Sequence, residues 1–135
     1  MNLASFDINY VAAVAGGVAY FALGALWYTA LFGAKYRALR GISEAEATSP
    51  PVMMAITGVA GIVTTMVVGL LYEWGGGDGV VDGIVVGLIV GVGVVAAEAL
   101  KSVVYEGHSW ALYAVNNGYA VLGVGLAGAV YSLLA

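Results

Sequence analysis

Residues 81–105 read VDGIVVGLIVGVGVVAAEALKSVVY, an apolar run broken by three charged side chains. A helix that rises 1.5 Å per residue needs about 20 such residues to cross roughly 30 Å of hydrocarbon. Residues 8–32, 52–74 and 110–134 form three further runs of this kind. All four are continuously apolar rather than alternating, which favours helices over β-barrel strands. The sequence therefore predicts an all-α integral membrane protein, with four transmembrane helices in a compact bundle that is a single domain covering residues 1–135.

Composition points to lipid as the main partner of this chain. Of its 135 residues, 62% are hydrophobic and 9% are charged, whereas soluble domains are about 45–50% apolar and about 25% charged. A chain this short has too much surface for its volume to hide that apolar material from water. Cysteine is absent, which excludes disulfides and thiolate metal sites. The four basic residues form no patch suited to phosphates, so no nucleic-acid partner is expected.

The basic residues predict an orientation. Lys35, Arg37 and Arg40 lie in the first connection and Lys101 lies near the third. With four crossings, these two connections share one side, which the positive-inside rule makes cytoplasmic. Both termini are then expected on the non-cytoplasmic side. The apolar run that follows the N-terminus is long and no base precedes it, which indicates a retained helix rather than a cleaved signal peptide.

Two local patterns refine the span ends. Residues 43–46 (SEAE) match a capping box and predict a short helix in the first connection. Aromatic rings lie near the predicted span ends, where headgroup-level positions suit amphipathic rings. These rings belong to Tyr10, Trp27, Tyr28, Tyr72, Trp74, Tyr105, Trp110 and Tyr131.

Glycines recur every fourth residue in the third span. Gly83, Gly87 and Gly91 therefore share one helix face. A face without side chains lets another backbone approach closely, which is how helices associate when lipid supplies no hydrophobic drive. The face predicts either a homo-oligomer interface or close packing inside one bundle.

Polar residues within the spans form a candidate intramembrane polar site. Glu98 lies one helical turn before Lys101, so it is either a proton- or cation-binding carboxylate or half of an ion pair near the membrane surface. Asn116 and Asn117 point about 100° apart on a helix. One of them is expected to hydrogen-bond across to another helix, with Glu98 or Tyr20 as partner, acting as structural glue or lining a path.

Glu106 and His108 lie in the predicted cytoplasmic turn between the last two spans. His108 is the only histidine of the chain, and no HExxH or comparable ligand spacing surrounds it. We expect a solvated loop residue, although this pair is the one place where acid–base groups gather. The sequence contains no GxSxG, P-loop or Rossmann pattern. No catalytic, cofactor-binding or metal-binding residue is therefore assigned.

Several short segments resemble a known family, the domain-of-unknown-function 1761 family of small bacterial and archaeal membrane proteins. In chain order, these segments are residues 8–10 (INY), 23–28 (LGALWY), 31–33 (LFG), 105–107 (YEG) and 116–119 (NNGY). Family members often carry a histidine directly after the last segment, where this chain has Ala120. The resemblance implies a four-helix, multi-pass protein of a bacterial or archaeal cell membrane, with no assigned function.

Two functional hypotheses follow from these features. The leading one is a non-enzymatic, oligomeric accessory or structural subunit, because packing glycines are abundant and catalytic constellations are absent. The alternative is a small oligomeric transporter or channel that uses Glu98 with Asn116 or Asn117 in the membrane interior. A small molecule or ion would then be its ligand, and the sequence does not identify it.

Overall fold

The computed structural model describes residues 7–135, so the prediction of an uncleaved N-terminus falls on residues 1–6 and lies outside the described part. Regular structure in the described part is helical throughout, without strands. Its helices are α1 (Tyr10–Leu31), α2 (Gly33–Arg40), α3 (Glu44–Ala47), α4 (Pro51–Trp74), α5 (Gly79–Val104) and α6 (Trp110–Leu134).

Four of these helices are long and apolar enough to cross a membrane. Helices α1, α4, α5 and α6 contain 22, 24, 26 and 25 residues. The predicted fold class, an all-α protein with four membrane-spanning helices, is confirmed. Each predicted span starts and ends within two residues of the observed helix.

Local chemistry explains where the helices begin. The side chain of Asn9 accepts a hydrogen bond from the backbone N–H of Ala12, and Ser109 does the same for Leu112. Helix α4 begins at Pro51, which suits a first helical position because its missing N–H would be unpaired there. The predicted capping box is confirmed: Ser43 and Glu46 exchange hydrogen bonds at the start of α3.

Helix α6 is the centre of the bundle. It packs along α1 on one side and α5 on the other, while α4 lies mainly against α1. In its most apolar window 56% of residues are buried inside the protein, compared with 22–28% in the other three spans. The surroundings of α6 are therefore mostly protein, whereas the other three spans are mostly open to lipid.

The two ends of the bundle differ. At one end, which we name the terminal end, Asn9 Nδ2 donates to the carbonyl oxygen of Leu134 at 3.1 Å. The other end, the basic end, carries α2, α3 and the turn between α5 and α6, and the basic residues of the chain lie there. The side of the membrane that each end faces stays a prediction.

Glycines bring α5 and α6 to backbone contact. Gly83, Gly87 and Gly91 all face α6. A Cβ atom on Gly91 would lie 3.0 Å from the Cα of Val121, and one on Gly83 or Gly87 would press closer still on backbone oxygens. Since backbone cannot rotate away as a side chain can, only glycine fits here. The predicted glycine face is thus covered by α6 of the same chain.

Helices α1 and α4 pack together in the half of α1 nearer the terminal end and separate towards the basic end. They are closest where Gly16 faces Thr65 and Gly17 faces Ile62. Beyond this crossing, residues 51–57 at the start of α4 are exposed on all sides. A cleft therefore opens between α1 and α4 at the basic end.

Tyr131 joins three helices at the terminal end. Its hydroxyl accepts the backbone N–H of Asn9 at 3.0 Å and donates to Glu73 Oε1 at 3.2 Å. Its ring meets the edge of Tyr72 with centroids 6.0 Å apart. The phenol thereby fastens the start of α1 and the end of α4 to α6.

The aromatic rings near the helix ends differ in their burial within the protein, and their level in a membrane stays a prediction. Tyr10, Tyr105 and Trp110 are 63%, 83% and 64% exposed near helix ends. In contrast, the side chains of Tyr131, Tyr72 and Trp27 are buried. These three rings turn inward because their polar atoms find hydrogen-bond partners inside the protein.

Candidate functional site

Four side chains meet between α1 and α6 in the half of the bundle nearer the basic end. We name Tyr20, Tyr28, Asn116 and Tyr119 the Tyr–Asn cluster. The hydroxyl of Tyr28 donates to Asn116 Oδ1 at 2.8 Å, and the hydroxyl of Tyr119 donates to the carbonyl oxygen of Tyr20 at 3.0 Å. Both hydrogen bonds run from one helix to the other.

The rings of the cluster pack on each other around Tyr119. Its centroid lies 5.1 Å from that of Tyr20 and 5.5 Å from that of Tyr28, distances typical of favourable aromatic pairs. Tyr20, Gly24 and Tyr28 are spaced four residues apart and share one face of α1. Gly24 makes room for the phenol, since a Cβ there would lie 2.8 Å from the Tyr119 hydroxyl.

Trp27 adds a third bond between the same helices. Its indole Nε1 donates to the carbonyl oxygen of Val115 at 2.9 Å. Helix α1 is π-helical from Trp27 to Leu31, and the backbone N–H of Phe32 donates to the carbonyl oxygen of Trp27 at 2.7 Å. This wider turn inserts an extra residue, and both Trp27 and its neighbour Tyr28 hydrogen-bond to α6.

Two openings reach the cluster from the side of α4. A cavity of about 130 Å³ lies between Tyr20, Phe21, Thr64 and Tyr119. That volume is below the roughly 300–1,000 Å³ of ligand pockets, although it has room for a few water molecules. The second opening is the larger α1–α4 cleft of about 500 Å³, which Tyr28 lines at the basic end.

Two of the segments that carry the family resemblance, residues 23–28 and 116–119, thus meet in space. The sequence model of the family described as "Protein of unknown function (DUF1761)" matches residues 11–132. The chain belongs to the DUF1761 family. No curated protein and no solved structure matches the chain. Membership confirms the predicted family and supplies no activity.

In this DUF1761 protein, Glu98 and Lys101 lie apart from the cluster. Their side chains form an i, i+3 ion pair with 2.7 Å between Nζ and Oε2, and they are 69% and 65% exposed, respectively. The pair lies on the outside of the bundle, where Glu98 is about 9 Å along the helix from the end of α5. Glu98 therefore shares no cavity with the interior polar residues.

The two asparagines have different partners. Asn116 joins α1 as expected, but its partner is Tyr28 rather than the predicted Glu98 or Tyr20. Tyr28 reaches it because the long phenol extends across the gap between the helices. Asn117 is buried and donates to the carbonyl oxygen of Tyr113 in its own helix at 3.0 Å.

The turn between α5 and α6 holds Glu106 and His108 at the surface. His108 Nε2 lies 4.0 Å from Glu106 Oε2, and both side chains are exposed. Gly107 between them has φ +72°, a left-handed conformation that suits glycine. The turn closes through the backbone, where the N–H of His108 donates to the carbonyl oxygen of Ser102 at 3.0 Å.

Of the residues predicted for the polar site, Tyr20 and Asn116 lie in the Tyr–Asn cluster, whereas Glu98 and Lys101 pair with each other outside it and Asn117 bonds within α6. The sequence did not mark Tyr28, Tyr119 or Tyr131 as interior residues. The spacing of Tyr20, Gly24 and Tyr28 could have predicted the contact with Tyr119. A glycine between two aromatic residues on one helix face leaves room for a large side chain from another helix.

Proposed function

We propose that this chain is a non-enzymatic, oligomeric subunit of a bacterial or archaeal cell membrane, with an accessory or structural role. The observation that carries this proposal is that polar side chains inside the bundle form hydrogen bonds between helices. Three such hydrogen bonds join α1 and α6, and their donors are Trp27, Tyr28 and Tyr119. Groups engaged in this way hold helices together, which is the common role of polar residues within membrane bundles.

The transport alternative receives less support from the same geometry. It requires Glu98 and an asparagine to share a hydrated path, yet Glu98 is outside the bundle and Asn116 is inside it. We therefore favour the subunit.

A stripe on α4 is a surface that suits a second copy. Val52, Ile56, Val59 and Val63 are 62%, 60%, 61% and 53% exposed. Their spacing of four, three and four residues is that of a helix–helix seam. The glycine face of α5 is already covered by α6, so oligomerisation needs another surface. We name these four residues the α4 stripe and propose that it packs on the α4 stripe of another copy.

Cysteine cross-linking tests this assembly, since the chain has no native cysteine. In a two-fold dimer with its axis along the membrane normal, the two α4 helices run parallel and Val59 meets its own copy. We expect Val59→Cys to give disulfide-linked dimers in native membranes under mild oxidation. The matched control is Ile89→Cys on α5, which is 64% exposed and is expected to stay monomeric.

Two outcomes contradict the proposed assembly. One is a Val59→Cys variant that is expressed and folded like the wild-type chain but remains monomeric under oxidation. The other is cross-linking of Ile89→Cys to the same extent, which indicates random collision rather than a defined seam.

A further inference from the structure

The α1–α4 cleft lies where two of the apolar spans end, which is the level at which a bilayer would change from hydrocarbon to headgroups. On the side of the spans, the cleft is lined by Ala25 and Met54. Ala25 lies about 9 Å before the end of α1, and Met54 lies in the first turn of α4. On the side of the connection that precedes α4, the cleft is lined by Arg37 of α2 and Glu44 of α3. A ligand in this cleft therefore has apolar surroundings at one end and charged surroundings at the other.

The cleft is lined by one positive and one negative side chain, and neither has a side-chain partner within the described residues. Arg37 and Glu44 both line it, yet within residues 7–135 neither side chain forms an ion pair or a side-chain hydrogen bond. Nearby charges differ in this respect: Glu46 accepts from the backbone of Ser43, and Arg40 donates to Tyr36. A ligand with both a negative and a positive group would complement the cleft.

We propose that the α1–α4 cleft binds the headgroup of a zwitterionic, amine-bearing phospholipid of the surrounding bilayer, of the phosphatidylethanolamine type. The guanidinium of Arg37 suits phosphate because its planar donors can contact two oxygens at once. The carboxylate of Glu44 suits the ammonium group. The volume of about 500 Å³ lies within the usual range of ligand sites.

Hydroxyl groups in the cleft favour a donor-rich ammonium group. Thr29 and Thr48 both donate to backbone carbonyl groups of their own helical turns. Their hydroxyl oxygens can then only accept further hydrogen bonds. A primary ammonium group offers three donors, whereas the trimethylated ammonium of phosphatidylcholine offers none.

The acyl chain of such a lipid is expected to lie between α1 and α4. Further along the same two helices lies the cavity beside Phe21, Ala60 and Gly61, in the direction that the chain would take. Gly58 faces the space between these helices without filling it, since a Cβ there would still lie 3.9 Å from the ring of Phe21. The site thus takes a lipid rather than a soluble headgroup, and it stands independently of the proposed oligomeric role.

Native mass spectrometry of the detergent-solubilised full chain tests the site with dioleoyl phosphatidylethanolamine, phosphatidylcholine and phosphatidylglycerol at equal concentrations. We expect phosphatidylethanolamine to be retained best and phosphatidylglycerol least, since the latter has no cation for Glu44. Arg37→Gln should weaken retention of all three lipids about tenfold, the scale of one charge-assisted hydrogen bond. Glu44→Gln should remove the preference for phosphatidylethanolamine while retaining binding of the other two.

Matched controls make the result decisive. Arg40→Gln removes the same charge from the same helix, but Arg40 lies over the ring of Tyr36 and does not line the cleft. It should leave retention unchanged, and all variants should keep the wild-type melting temperature. Equal retention of the three lipids, or an effect of Arg40→Gln equal to that of Arg37→Gln, would overturn the proposal. Displacement of the lipid by free glycerophosphoethanolamine would also overturn it, because the acyl chain would then be irrelevant.

Discussion

Gly87→Ala lowers the free energy of unfolding by about 2–3 kcal/mol, the upper range for forcing extra volume into a packed interior. The added Cβ would press on the carbonyl oxygen of Val124 and lie 2.9 Å from the Cα of Gly125. Both neighbours are backbone of α6, so relief requires α5 and α6 to move apart along their whole contact. Unfolding of the purified protein by a denaturing detergent, followed by circular dichroism, measures the change.

Gly93→Ala is the control on the same helix. A Cβ at Gly93 would meet nothing within 4 Å, and alanine is favoured over glycine within a helix by roughly 0.5–1 kcal/mol. We therefore expect unchanged or slightly raised stability. Equal destabilisation by both substitutions would contradict the close α5–α6 contact, because it would show that any side chain on α5 is harmful.

Tyr131→Phe lowers the free energy of unfolding by about 1–3 kcal/mol, the penalty for leaving buried polar groups without partners. The ring and its packing on Tyr72 are retained, so the change reports on the hydroxyl alone. Without it, the backbone N–H of Asn9 loses its acceptor and Glu73 loses a donor. The same detergent unfolding experiment measures the loss.

Tyr105→Phe is the matched control for that experiment. Tyr105 is 83% exposed at the opposite end of the bundle, and surface substitutions of this kind usually change stability by less than about 0.5 kcal/mol. A Tyr131→Phe protein as stable as Tyr105→Phe would contradict the role of Tyr131 in fastening α1 and α4 to α6.

The sequence predicts the spans well because the physical constraint on them is simple. A helix must be long and apolar enough to cross hydrocarbon, and both properties are local. Helix starts are also local, as the capping box at Ser43 and the proline at position 51 demonstrate. The glycine spacing of α5 predicts a face for close approach, but it does not identify the neighbour.

The arrangement of helices depends on information that single segments lack. A tyrosine near a span end suits the headgroup level and suits a buried hydrogen bond equally well, so Tyr131 and Tyr28 could not be assigned from their positions. The same limit applies to Asn116, whose partner lies 88 residues away in the chain. One signal was available: α6 is the least apolar of the four spans and also the most buried. In lipid, polar side chains turn inward, so the least apolar span is expected at the centre.

The central claim is that the interior polar residues of this DUF1761 protein hold helices together and do not line a path. Reconstitution into liposomes loaded with a pH-sensitive dye, under an imposed pH gradient and potassium diffusion potential, tests it most directly. We predict that proton flux equals that of protein-free liposomes and that neither Asn116→Leu nor Glu98→Gln changes it. Proton flux well above the protein-free rate that is abolished by Asn116→Leu or by Glu98→Gln would contradict the claim.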